Sequence, residues 1–184
     1  MVDYENKLKS IIENDIYMMS VLKAVEKLNL EDAWVCAGFI RNKVWDISHN
    51  ITTPLNDIDV IYFDATDTSL EKEKQLETKL EFLLPDQPWS VKNQARMHLK
   101  SGFKSFTSSY DGVAHFPETP TAIAVRIYNR DIEIMAPYGL QDLFEMRVTP
   151  TPFFQEDNEL HSIFVERIKK KKWNEIWENL YIEF

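Results

Sequence analysis

The chain has 184 residues, 44% apolar and 12% aromatic, which is material for one dense core and argues against intrinsic disorder. Only 4 glycines occur, too few to build a Rossmann or P-loop phosphate loop, and a formal charge of -9 disfavours extended nucleic acid as a partner. The lone Cys36, without any Cys/His cluster of zinc spacing, suits a reducing compartment.

No apolar signal core opens the chain and no apolar run is long enough to span a bilayer, so a cytoplasmic protein without membrane contact is expected. Ile11, Ile12, Ile16, Met19, Leu22, Val25 and Leu28 recur mostly three and four apart. That spacing predicts N-terminal helices over about 5–29, with Asn14 or Asp15 capping the second. Ala33 to Ala37 predicts a short strand meeting Gly38, and Phe39 to Ile47 a short helix. The polar stretch Ser48 to Asn56 reads as loop. DIDVIYF, Asp57 to Phe63, is β-branched and aromatic and predicts a strand entered by two acids. Thr68 and Glu71 form a capping-box pattern, and a leucine stripe from Leu70 to Leu84 predicts an amphipathic helix stopped by Pro85.

Trp89 to Val91 predicts a strand and Asn93 to Lys100 a helix. Gly102 to Pro120 shows little periodicity and reads as a long ordered loop. Ala122 to Tyr128 and Ile132 to Ala136, separated by Asn129, Arg130 and Asp131, predict a hairpin. A short helix follows near Leu140 to Met146, and a C-terminal helical region is expected over about 156–180, opening near Asn158. Lys169 to Lys172 reads as a solvated helix face or a partner for a helix dipole, with an anionic ligand as the alternative. Neither a repeat nor a low-complexity linker divides the chain, so a single domain over 1–184 is expected.

Asp57 and Asp59 stand two apart at the head of a strand, which places both carboxylates on one face. The bland reading is two solvated acids at a strand end; the chemical one is a pair that repels until something positive sits between them. Upstream, the turn at Gly38 lets backbone approach a ligand, and the helix it opens offers free N–H groups to phosphate. Lys92, Asn93 and Arg96 supply further donors for phosphate or acceptor. Arg126, in an apolar strand, requires an acidic or phosphate partner if it points inward, and Asp57, Asp59 or Glu133 is the natural one. The histidines, His49, His98, His115 and His161, do not form a zincin motif, and no nucleophile elbow occurs.

Ala37-Gly38-Phe39-Ile40-Arg41-Asn42 followed by Asp57-Ile58-Asp59 resembles the nucleotidyltransferase superfamily, the polymerase-β-type fold shared by tRNA-nucleotide-adding and aminoglycoside-modifying enzymes. Phe39 stands where that superfamily places its second small turn residue, and the gap from Gly38 to Asp57 is longer than in most members. WVCAGFIRNKVW, DIDVIYFD, WSVKNQARMH, PETPTAIAVR and APYGLQDLF together resemble a bacterial branch of it whose biological substrate is unassigned. The resemblance implies an α/β (α+β) fold with a small mixed sheet flanked by helices. It implies metal-dependent transfer of a nucleoside monophosphate from NTP to a hydroxyl of an unknown small-molecule or protein acceptor. Asp57 and Asp59 would hold Mg²⁺ or Mn²⁺, and a third carboxylate is expected on a neighbouring strand. Glu133, an acid between apolar residues of a β-run, is the first choice, Glu118 the second and Asp131 the third. Gly38, Arg41, Asn42, Lys92, Asn93 and Arg96 would contact nucleotide. The alternative is a non-catalytic nucleotide- or partner-binding module that retains the fold.

Overall fold

Helix α1, Tyr4–Glu13, and helix α2, Ile16–Glu26, each begin where an aspartate caps the first turn: Asp3 accepts from the Asn6 N–H and Asp15 from the Met18 N–H. The computed structural model describes residues 3–156 and 159–184, so Asn158, the expected opening of the last helical region, lies outside the described residues. After α2 come β1 (Trp34–Cys36), α3 (Gly38–His49), β2 (Ile58–Tyr62), α4 (Leu70–Leu83), β3 (Trp89–Asn93) and α5 (Gln94–Ser101). Then follow α6 (Ser109–Ala114), β4 (Ala124–Tyr128), β5 (Asp131–Met135), α7 (Gln141–Phe144), β6 (Arg147–Val148), α8 (His161–Lys171), α9 (Trp173–Ile176) and β7 (Tyr181–Ile182).

Five strands form one mixed sheet in the order β3-β2-β1-β4-β5, with β2 and β3 parallel and the other neighbours antiparallel. The parallel pair requires a crossover, which α4 supplies. The β4–β5 hairpin is closed by Asn129 and Arg130, both at positive φ, 50° and 67°, as a two-residue primed turn requires. Alternation along the strands gives the sheet two unlike faces. Val35, Val60, Val91 and Val125 point into the main core with α1 to α4, whereas Trp34, Cys36, Ile61, Ala124 and Met135 point to the other side, against Val113 of α6.

Three expectations are corrected. Ser69, not Thr68, caps α4, its hydroxyl accepting from the Lys72 N–H. The supposed loop 102–120 contains α6, too short for a periodic signal, capped by Ser108. The C-terminal region is not helical to Leu180: Lys172 adopts a left-handed conformation that ends α8, and β7 pairs in parallel with β6.

Candidate active site

Cys36 ends β1, and the chain turns into α3 through Ala37, held at φ 60° and ψ −125°, a conformation that favours glycine. The turn is locked on both sides. The Ala37 N–H donates to the Ile123 carbonyl at 3.0 Å, and the Ala37 carbonyl accepts from the N–H groups of Ile40 and Arg41. The N–H groups of Gly38 and Phe39, in the first turn of α3, therefore have no intrahelical acceptor and face the chain reversal. A Cβ at Gly38 would lie 3.4 Å from the Arg41 guanidinium, so the small residue keeps this corner open.

In the sheet, Asp59 is paired with Cys36 across β1–β2 and with Ser90 across β2–β3, which sets it beside the turn and on the face opposite the main core. Burial raises the Asp59 pKa, and the neighbouring Asp57 raises it further; the Ser90 hydroxyl, Lys92 and Arg167 act in the opposite direction. Arg41 is buried, donating from Nη1 to Thr121 Oγ1 at 2.8 Å and from Nη2 to Asn42 Oδ1 at 2.8 Å, and its guanidinium stacks 4.1 Å over the Trp173 ring. Its Nε has no partner among the described residues. Burial lowers the Arg41 pKa to about 10, against the pull of Glu118, Asp57 and Asp59 and with the push of Arg167. Lys171 is lowered by burial and by Arg167 and Arg41, with Asp57 and Glu118 opposing. Glu118 is fully buried; one oxygen accepts from Arg167 Nε and the other, Oε2, has no hydrogen-bond partner among the described residues.

Ala37, Asp59, Lys92, Thr121 and Arg167 line a cleft of about 440 Å³, and buried Arg41 and Glu118 each bond to one of these lining residues, Thr121 and Arg167. Asp57 and Asp59 are hard oxygen donors that repel one another, a donor set that fits Mg²⁺ held by two carboxylates and completed by phosphate oxygens. Among the described residues no three His, Cys, Asp or Glu side chains form a metal cage.

A family model described as nucleotidyltransferase matches residues 23–182. The chain belongs to the nucleotidyltransferase family. A protein solved by NMR and described as revealing a CCA-adding enzyme head domain is 36% identical, with 97% of this chain and 95% of that chain covered and a TM-score of 0.84. The Thermotoga maritima CCA-adding enzyme complexed with tRNA is 16% identical at a TM-score of 0.56, covering 96% of this chain and 42% of its own. A CCA-adding enzyme in complex with CTP is 15% identical at the same TM-score, 0.56, covering 97% and 43%. These two likenesses show the fold alone, and this nucleotidyltransferase spans less than half the length of either enzyme. No curated protein matches the chain significantly.

Of the residues expected at a nucleotidyltransferase site, the structure brings together Gly38, Arg41, Asn42, Asp57, Asp59 and Lys92. It does not bring Glu133 there. Glu133 shares the Asp59 face of the sheet, but β5 lies three strand spacings from β2, about 14 Å away. Its carboxylate instead accepts from Arg126 Nε and Nη2 at 2.7 and 2.6 Å, and Arg126 stacks on Trp34. The partner foreseen for Arg126 is thus present, while the third acid in the cluster is Glu118. Asp131 sits at the hairpin and binds Lys9 at 3.2 Å.

Asn93 and Arg96 are spent on the scaffold of the nucleotidyltransferase fold. Asn93 is buried, its amide bridging Asp64, Asp67 and the start of α5, and Arg96 is clamped by Glu73. Sequence reading did not single out Arg167, and it named Lys171 only within the run Lys169 to Lys172, for which an anionic ligand was the alternative. The four-residue spacing of Arg167 and Lys171 on α8, one turn apart on the same helix face, was the available signal.

Proposed function

We propose that this cleft transfers a nucleoside monophosphate from NTP to a hydroxyl acceptor, a small molecule or a protein, with Mg²⁺ or Mn²⁺ held by Asp57 and Asp59. One observation carries the reading. In a chain of net charge -9, Arg41, Lys92, Arg167 and Lys171 converge on the two aspartates beside an open helix start. Such a concentration of positive charge against the overall sign suits a polyanion that brings a cation with it. Family membership supports the reaction class, and the related fold of CCA-adding enzymes in complexes with CTP and ATP supports a nucleotide donor.

In the reaction the acceptor hydroxyl gives up its proton to water as its oxygen forms a bond to the α-phosphorus, the bond from that phosphorus to the bridging oxygen breaks, and pyrophosphate leaves with the electron pair. When bound, the metal supplies charge neutralisation and Lewis acidity at the phosphates. The chain supplies the rest. The Gly38 and Phe39 N–H groups and Arg41 grip phosphate oxygens. Lys92, Arg167 and Lys171 offset the charge that develops on the leaving pyrophosphate. Glu118 is a positioning residue that fixes Arg167 and opposes the lowering of the Arg41 pKa by burial.

The test is a screen of the purified protein with labelled NTPs and Mg²⁺ or Mn²⁺ over candidate acceptors, scoring pyrophosphate release. Turnover in the wild type that disappears in Asp57→Asn and Asp59→Asn is the expected result. NTP binding without turnover under every condition would favour the non-catalytic module.

A further inference from the structure

The cleft has a second half that the phosphate chemistry leaves unused. Beyond Asp59 its walls are apolar, built by Met97 of α5 and by Phe103, Phe106 and Phe116. The aromatic wall is preorganised: Phe103 and Phe106 pack with centroids 6.1 Å apart, and the His115 ring lies 4.6 and 4.8 Å from them. Into this bay projects Gln94, the first residue of α5, which is only 3% exposed. Its side-chain amide makes no hydrogen bond to another described residue and is not sealed from the cleft it lines. An amide that reaches a cleft with its bonding capacity free can be satisfied by water or by the polar edge of a ligand.

Gly112 shows that the amide is held in place by construction. A Cβ at that position would lie 2.3 Å from Gln94 Oε1 and 2.9 Å from Cδ. A glycine inside a helix is otherwise destabilising, so α6 carries one where the amide needs the room. A side-chain amide offers one acceptor and one donor side by side, the complement of a ring edge with an adjacent donor and acceptor.

We propose that the apolar bay seats the base of the donor nucleotide, stacked against the phenylalanine wall, and that the Gln94 amide selects among bases by hydrogen-bonding to the ring edge. This rests on reading the cleft as a nucleotide site. The bay opens directly onto Ala37, Asp59 and Arg167, so a ring tethered to the triphosphate through its ribose enters it without a second site. Stacking on aromatic faces accepts every base, which leaves discrimination to the one polar group that meets the edge.

The experiment is calorimetric titration of the full chain with ATP, CTP, GTP, UTP and inorganic tripolyphosphate, each with Mg²⁺. The wild type is expected to bind the best NTP at least about tenfold more tightly than the worst, and more tightly than tripolyphosphate. Gln94→Met, which keeps the volume, should compress that ranking to about twofold with tripolyphosphate affinity unchanged, and Gly112→Ala should act in the same direction by displacing the amide. Thermal unfolding of both variants confirms that they fold. Equal wild-type affinity for all four NTPs, as expected if the bay takes the acceptor instead, overturns the inference; so does a ranking that survives in Gln94→Met. Failure of tripolyphosphate and every NTP to bind the wild type removes the nucleotide reading itself, a result distinct from base-blind binding.

Discussion

Glu118 and Glu133 show how far one residue's sequence context reaches. Glu133 lies in an alternating strand and reads as an inward acid, while Glu118, between Pro117 and Pro120, reads as a loop residue. The structure reverses their standing. Pairing order, which no local pattern encodes, sends Glu133 to the edge strand and its own arginine, whereas Glu118 is buried by the return of α8 and by its bridge to Pro150. Glu118→Gln is therefore expected to destabilise the protein by about 2 kcal/mol, because Arg167 and Arg41 lose the charge they face. Glu133→Gln should change stability by less than about 1 kcal/mol, being a partly exposed pair at a sheet edge, and leave nucleotide binding intact. Urea denaturation of both variants checks the order, and equal effects would contradict it. Asp57 and Asp59 were legible as candidates because two acids at a strand entry are a local feature. Asp59→Asn should leave the unfolding temperature equal or higher, since a buried, repelled carboxylate is neutralised, while metal-dependent nucleotide affinity falls.

Elements with a long periodic stripe or a cap were legible, and elements made by tertiary contact were not. The leucine stripe of α4 and the capped starts of α1 and α2 are written locally. By contrast α6 has six residues and a glycine, and β6 and β7 two residues each, so their existence depends on what packs on them. The turn from β1 to α3 holds strain that the sequence does not announce, because an alanine occupies a glycine-type conformation. Ala37→Gly should stabilise by about 1 kcal/mol, measured by the denaturation midpoint; a loss would mean that the methyl group, which lines the cleft, matters more than the dihedral. At the junction of α4, β3 and α5, burial alone would raise the Glu73 pKa, yet Arg96 and the Asn93 N–H hold it below its ordinary 4.5. A depressed carboxylate contributes stability above its unfolded pKa and loses it as pH falls through the folded one. The wild type should thus lose stability below about pH 4.5, with a shallower acid limb in Glu73→Gln; parallel limbs in the two proteins would refute the assignment.

At the scale of the whole molecule the site is a charge inversion. The fold gathers residues 41, 92, 167 and 171, from α3, β3 and α8, around acids at 57, 59 and 118. Composition reports only the net -9, and Arg167 does not stand out within its own segment. The nucleotidyltransferase frame was legible from the order of its motifs, with Arg41 and Lys92 inside them, but the approach of Arg167 and Lys171 to these residues depends on the tertiary placement of α8. The most direct test is to titrate an isotope-labelled 21.7 kDa chain with a non-hydrolysable NTP and Mg²⁺ and to follow backbone amide resonances. Gly38, Phe39, Arg41, Asp59, Lys92, Arg167 and Lys171 should shift together along one saturable curve. Shifts centred instead on Trp34, Arg126 and Glu133, with the Gly38 turn silent, would contradict the account.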